Sequence, residues 1–186
     1  LWASGVDIGE GNKSFIRNAL GDDFQDTWSL AEFLYESHKE FFLLPSDIAV
    51  EVDGNRVAMN VSELPTKYPI YDIGISTLQE IRPLMINAGC ILWNGPASYF
   101  ELPGFAFGTI EILNMCTESS AVTIVGGGHT SSLVSNRGVA DSVTHNSTGG
   151  GACLTMLSGG LMPVIESLNK SNDKFRSLLP SLELDN

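Results

Sequence analysis

Ala121-Val122-Thr123-Ile124-Val125-Gly126-Gly127-Gly128-His129-Thr130-Ser131-Ser132 is the stretch on which the fold turns. Residues 121–125 are apolar and mostly β-branched, which predicts a short buried strand. Three glycines follow, and glycine lets a backbone adopt positive φ or approach a ligand closely. Thr130, Ser131 and Ser132 are the small hydroxylated residues that favour a helix start. A strand, a glycine turn and a helix N-terminus make an anion site from backbone N–H groups and the helix dipole, with no basic side chain required. A glycine triplet by itself serves an ordinary tight βα turn equally well.

The device occurs twice. Val143-Thr144-His145 leads to Ser147-Thr148-Gly149-Gly150-Gly151-Ala152 and then to an apolar, helix-like run ending near Leu157. Neighbouring parallel strands would open both turns on one edge of a sheet, the usual ligand edge of such folds.

Outward from these units, the chain alternates strand, loop and helix. Apolar runs at 41–44 and 90–93 predict two further strands, ending at Ser46-Asp47 and Asn94-Gly95-Pro96. Residues 13–20, 25–40, 76–87, 105–116 and 163–168 have helical spacing, and Ser76 to Gln79 has the capping-box interval. His38, near the end of the second of these, is expected to be solvated. Asp53-Gly54-Asn55 between two alternating runs predicts a hairpin. Strands near 41, 90, 121 and 143, joined by helical crossovers, predict a Rossmann-like three-layer α/β/α fold with a doubly wound, mainly parallel sheet. Candidate ligand groups then lie at strand carboxyl ends: Asp47, residues 94–101, 126–130 and 149–152.

Composition narrows the function classes. The 186 residues carry 10 Lys and Arg against 22 Asp and Glu, a formal charge of −12, so nucleic acid and acidic membrane surfaces are disfavoured partners. No Lys or Arg occurs in residues 83–136 or 138–169. Both glycine turns therefore lie in chain without cationic side chains. No apolar run is long enough to span a bilayer, and no signal peptide is expected. Cys90, Cys116 and Cys153 show no CxxC spacing and are expected as core thiols in a reducing, cytoplasmic compartment. Neither GxxxxGK[ST] nor GxGxxG is found, which excludes the P-loop and the ordinary dinucleotide fingerprint. Glu101 trails the Asn94-Gly95-Pro96 loop and suits ribose hydroxyls, while His129 follows the first triplet and suits ligand contact.

Several motifs, in order along the chain, resemble the carboxy-terminal, nucleotide-binding domain of phosphoglycerate kinases. They are Gly5-Val6-Asp7-Ile8-Gly9, Leu44-Pro45-Ser46-Asp47, Asp72-Ile73-Gly74, Trp93-Asn94-Gly95-Pro96 with Phe100-Glu101, Gly126-Gly127-Gly128-His129-Thr130, His145-Asn146-Ser147-Thr148-Gly149-Gly150-Gly151-Ala152 and Pro163-Val164-Ile165-Glu166-Ser167-Leu168. The resemblance implies one domain over residues 1–168, lacking that domain's first strands, and a tail over 169–186. It implies phosphoryl transfer between 1,3-bisphosphoglycerate and MgADP, giving 3-phosphoglycerate and MgATP. ATP or ADP with Mg²⁺ would be the cofactor, and the acid substrate would be held by an amino-terminal domain that this chain lacks. The isolated chain would then be inactive. Asn94, Gly95 and Pro96 would line the nucleotide cleft and Glu101 would hold the ribose. Gly126, Gly127, Gly128, His129 and Thr130 would face the nucleotide phosphates. Gly149, Gly150 and Gly151 would stabilise the phosphoryl group in flight. The chain departs from the family at His129, where an Asp is usual, and at Ser98, where a Gly is common. An imidazole at 129 is a poor match for Mg²⁺, so either water mediates there or Thr130 and the nucleotide hold the metal. A non-catalytic nucleotide- or anion-binding module of the same fold is the alternative reading, and an unrelated doubly wound enzyme is the third.

Overall fold

A computed structural model describes residues 1–176. The amino-terminal part is helical: α1 (Glu10–Leu20) and α2 (Phe24–Ser37) follow a single turn at Trp2–Ser4. Trp2 packs at a tilt against Trp28 at a ring separation of 4.1 Å, and Phe24 stacks near both rings. His38 closes α2 as an exposed residue, as expected.

Next comes a hairpin of β1 (Asp47–Val52) and β2 (Asn55–Asn60), antiparallel and in register from Asp47 against Asn60 to Val52 against Asn55. Its turn is Asp53-Gly54, with φ of 50° and 82°. Two consecutive positive φ values match the right-handed twist of the flanking strands. β3 (Ile70–Ile73) pairs with the other edge of β1, also antiparallel, giving the order β2-β1-β3. α3 (Ile75–Ile86) leaves β3 directly.

The second sheet is parallel, with the order β4-β5-β6: β4 (Cys90–Asn94), β5 (Val122–Gly126) and β6 (His145–Ser147). α4 (Phe107–Glu118) and α5 (Gly128–Asn136) form its two crossovers. α6 (Gly150–Leu157) and α7 (Pro163–Phe175) complete the described chain. The core lies between this sheet and α3, α4 and α5. Trp93 and Val125 pack there with Leu78, Ile112, Leu113, Met115, Cys116, Val134 and Val143. Each such large apolar side chain contributes about 1.5–3 kcal/mol by leaving water. The α/β class, with a parallel sheet flanked by helices, is therefore as expected.

Several local details differ from the expectations. Residues 41–44 form no strand: a single helical turn, Lys39–Phe41, leads into extended chain, and Phe41 is 80% exposed. An apolar run becomes a strand only beside a partner, and no described strand pairs with it. The parallel sheet thus has three described strands, and the segment expected to be its first leads instead into an antiparallel sheet. β3 was not expected; four residues with a buried Asp in the centre carry no alternation signal. Cys90 lies at the start of edge strand β4 and is exposed rather than in the core. α7 continues past Leu168 to Phe175, so the first part of the expected tail, residues 169–175, is helix. Residues 177–186 of that tail lie outside the described part.

Asp47 of β1 and Asp72 of β3 tie the antiparallel sheet to α3 and α4. The α3 N-terminus has Gly74 at its cap, which offers no side chain, and the expected Ser76–Gln79 box does not form. Asp47 supplies the cap instead: its carboxylate accepts from Ser76 N–H (2.9 Å), Thr77 N–H (2.8 Å) and the Thr77 hydroxyl (2.7 Å). Burial works against ionisation there, and these donors outweigh it, holding the Asp47 carboxyl below the usual carboxylate range. Asp47 is therefore a structural residue away from the cleft described below. Asp72 is fully buried and accepts from Gly108 N–H at the start of α4 and from Arg56 of β2 (3.2 Å). Burial pushes its carboxyl up, against the pull of the Gly108 N–H and Arg56.

Candidate functional site

The site follows from one register. Asn94 at the end of β4 pairs with Gly126 at the end of β5, and Gly126 pairs with Ser147 at the end of β6. Three parallel strands therefore end level, and the loops after them open onto one edge. The cleft at that edge has a volume of about 560 Å³. Asn94, Gly95 and Pro96 form one wall, Gly127 to Thr130 a second, and Thr148 to Ala152 a third.

The glycines are a packing requirement. A Cβ on Gly150 would lie 2.5 Å from Asn94 Oδ1, 2.6 Å from Gly127 N and 2.7 Å from Gly127 Cα. A Cβ on Gly126 would lie 3.0 Å from the same Asn94 oxygen. Gly127 has φ of 98°, in the left-handed region. The two glycine turns thus pack backbone against backbone around the Asn94 side chain, and no larger residue fits at that contact. Asn94 is the post on which the three loops converge.

Two helix N-termini face the cleft. The first i→i−4 hydrogen bond of α5 runs from Ser131 N–H to Gly127 O (2.9 Å), and that of α6 from Cys153 N–H to Gly149 O (2.8 Å). The N–H groups of residues 128–130 and 150–152 lie ahead of those ladders and have no intrahelical acceptor. The positive ends of both dipoles meet at the same opening, which makes the cleft attractive to a polyanion. Thr130 is fully buried and its hydroxyl donates to Gly126 O (2.5 Å), so that hydroxyl is turned away from the opening.

The lip is made by Glu101 and His129. Glu101 comes from the loop after β4, and its Oε1 stands 3.9 Å from Nδ1 of His129 in the first turn of α5. Their side chains are 46% and 76% exposed. The Phe100 ring is 6.3 Å from the imidazole. Glu101 is thus beside the cleft rather than among its lining residues, within reach of a group protruding from it. Gly126 lies beneath the floor; of the other residues singled out in the sequence, Asn94 to Pro96, Gly127 to Thr130 and Gly149 to Ala152 line the opening, whereas Ala97, Ser98 and Tyr99 line the neighbouring cavity. Thr148 is the lining residue that sequence reasoning passed over; its place just before the second glycine triplet was the available signal.

The donors present do not suit a protein-held Mg²⁺. Magnesium prefers octahedral oxygen ligands. The lip presents one imidazole and one carboxylate, the Thr130 hydroxyl is turned inward, and no group of three His, Cys, Asp or Glu side chains that could hold a metal occurs among the described residues. A larger, mainly apolar cavity of about 860 Å³ adjoins the cleft at Pro96, between Phe15, Ile48, Tyr71 and Tyr99. Its lining includes Lys67 and the first-turn residues Gly11 and Asn12 of α1, but no pair of glycine turns meets there.

The family model for phosphoglycerate kinase matches residues 1–160. The chain is 39% identical over 168 residues to the phosphoglycerate kinase of Methanopyrus kandleri, covering 90% of this chain and 41% of that protein. It is 39% identical over 176 residues to the enzyme of Methanobacterium bryantii, covering 95% and 42%. The crystal structure of phosphoglycerate kinase from Pyrococcus horikoshii OT3 superposes with a TM-score of 0.82 at 32% identity, covering 94% of this chain and 43% of that one. The chain spans about two-fifths of the length of these relatives. A match along nearly all of its length, in sequence and in three dimensions, shows that the chain belongs to the phosphoglycerate kinase family.

Proposed function

We propose that this chain supplies the nucleotide-binding half of a phosphoglycerate kinase, forming one domain over residues 1–168. ADP or ATP lies with its phosphates in the glycine cleft, and the nucleotide brings its own magnesium. The observation that carries this reading is the level ending of three parallel strands at Asn94, Gly126 and Ser147, which sets two helix N-termini on one cleft. Gly127, Gly128 and Thr130 direct backbone N–H groups at the nucleotide phosphates. Glu101, at the lip, accepts hydrogen bonds from the ribose hydroxyls. Gly149, Gly150 and Gly151 present the α6 N-terminus to the phosphoryl group as it passes from the acyl phosphate of 1,3-bisphosphoglycerate to the terminal oxygen of ADP. The reaction leaves 3-phosphoglycerate and ATP. Such a transfer needs positioning and charge stabilisation rather than covalent chemistry from the protein. Contacts to the acid substrate come from outside residues 1–176, in a cytoplasmic, reducing setting suited to three free thiols. No helix of the described residues is long and apolar enough to cross a membrane.

A second reading, a nucleotide- or anion-binding module without catalysis, is favoured by His129 alone. Calorimetric titration of the chain with ADP, ATP and tripolyphosphate, each with and without Mg²⁺, separates the two. Tighter binding of the magnesium nucleotides than of tripolyphosphate supports the kinase reading. Equal affinity for all three with indifference to the metal supports the module, and no binding at millimolar ligand overturns both. The isolated chain should show no phosphoglycerate kinase turnover; substantial turnover would refute the assignment of half a site.

A further inference from the structure

The parallel sheet is covered on one side only. Successive residues of a strand point to opposite faces, and residues paired in register share a face. Ile91 and Trp93 of β4 face the core formed with α3 and α4. Cys90 and Leu92 point the other way, paired with Val122 and Ile124 of β5. No charged side chain stands among these four, and Leu92 and Val122 are 44% and 50% exposed. Parallel sheets ordinarily carry helices on both faces, because their strands are apolar on both. Here α6 meets the second face only at its carboxyl edge, where Gly150 packs by Asn94 and Gly126.

The same chain has a helix with nothing beneath it. Every residue of α7, from Pro163 to Phe175, is exposed. Val164, Ile165, Leu168 and Phe175 form one apolar stripe, with Glu166, Lys170, Asp173 and Lys174 opposite. A helix of this length, near the limit of about 12–15 residues, is marginal alone in water and takes its stability from packing an apolar face. Its own sheet is out of line. α6 closes on Gly159 (φ 71°), with Gly159 N–H on Met156 O (3.1 Å) and Gly160 N–H on Thr155 O (2.8 Å). That cap fixes the direction in which the chain leaves α6, and α7 then stands clear of the sheet.

Area and charge both fit a second copy. The chain exposes 11995 Å², where a folded monomer of 20.0 kDa exposes about 8,700 Å². Residues 177–186 account for at most about 1,600 Å² of the difference, the area of ten unfolded residues. The remaining excess, about 1,700 Å², exceeds the ~800 Å² that each partner contributes to a standard stable interface. α7 carries two Lys against one Glu and one Asp, so it approaches a second chain of charge −12 without net repulsion of its own.

We propose that two copies of this chain pair by reciprocal exchange, the apolar stripe of each α7 lying on the Leu92–Val122 face of the other's parallel sheet. The arrangement is isologous, so both seats fill at once. It is independent of what the cleft binds.

The test is light scattering behind size exclusion, with sedimentation across micromolar concentrations, on the 186-residue chain. The expected mass is twice 20.0 kDa. Leu92→Glu and Leu168→Glu alter exposed positions and keep the fold, which circular dichroism checks. Each should weaken the dimer on the order of a hundredfold, because a carboxylate is carried into an apolar seat. An equimolar mixture of the two variants regains one intact seat, so it should associate at least about tenfold more tightly than either variant alone. Phe33→Glu, at an exposed apolar position on α2, should leave the dimer unchanged. A parent chain that stays monomeric overturns the proposal, whether α7 closes on its own sheet or a different polypeptide takes the seat. Failure of the mixture to recover, or equal weakening by Phe33→Glu, overturns it as well.

Discussion

Gly150→Ala is the substitution that most directly tests how the cleft is built. The added methyl would sit 2.6 Å from Gly127 N and 2.7 Å from Gly127 Cα, with Asn94 Oδ1 at 2.5 Å. Two of these three neighbours are backbone, so no side-chain rotation relieves them. Ordinary carbon contacts need about 3.5 Å or more, so the α6 N-terminus and the β5 turn must separate by roughly 1 Å. Overpacking of this kind costs about 1–3 kcal/mol. Gly151 provides the internal control, because a Cβ there meets nothing within 4 Å. Gly151→Ala should leave stability unchanged or raise it by up to about 1 kcal/mol, since alanine is the better helix former. Urea denaturation of the two variants against the parent gives the stabilities, and tripolyphosphate titration gives the anion affinity. Gly150→Ala should lose both stability and anion affinity, because the two sets of N–H groups no longer converge. Equal stability of the Gly150→Ala and Gly151→Ala proteins would refute the backbone-on-backbone packing around Asn94.

Asp47→Asn removes the charge that caps α3 and should cost about 1–2 kcal/mol in urea denaturation at pH 7. The Asp47 carboxyl lies below its ordinary range when folded, so its contribution is present at neutral pH and is lost as pH falls below about 4. The gap between parent and Asp47→Asn should therefore close on acidification, which denaturation curves from pH 7 to pH 3 would show. Arg56→Ala leaves the buried Asp72 carboxylate without its cationic partner and should lose about 3 kcal/mol, measured the same way. Thiol labelling of the native chain should modify exposed Cys90 first and half-buried Cys153 more slowly. Buried Cys116, whose thiol is pushed up to about 11 by desolvation, should react only on unfolding.

β4 and β5 of the parallel sheet were legible because their signals are local. Val122, Ile124 and Val125 are β-branched and stop at glycine, and Ile91, Leu92 and Trp93 stop at Asn94-Gly95-Pro96. The hairpin was legible for the same reason, since Asp53-Gly54 suits one turn geometry. The run at 41–44 misled because four apolar residues look alike whether or not a neighbouring strand exists to receive them. β3 escaped notice because it is short and its centre is Asp72, whose burial depends on Arg56 and on the α4 N-terminus rather than on its own neighbours. The capping box at Ser76 was a sound local reading that lost to Asp47, thirty residues upstream, whose carboxylate reaches two N–H groups and a hydroxyl together.

The sequence by itself determined that this chain is an α/β protein with two glycine turns, each between a strand and a helix, with Arg137 between them as the one fixed cation from 83 to 169. Periodicity, turn chemistry and charge are properties of adjacent residues, and they survive in any fold the chain adopts. Only the tertiary structure decided that the two turns press against one another around Asn94, that Thr130 directs its hydroxyl inward, and that Glu101 meets His129 at the lip. Those contacts depend on strand register and on the paths of loops between distant residues. Register is set by how the whole sheet packs against α3, α4 and α5, not by any window of sequence.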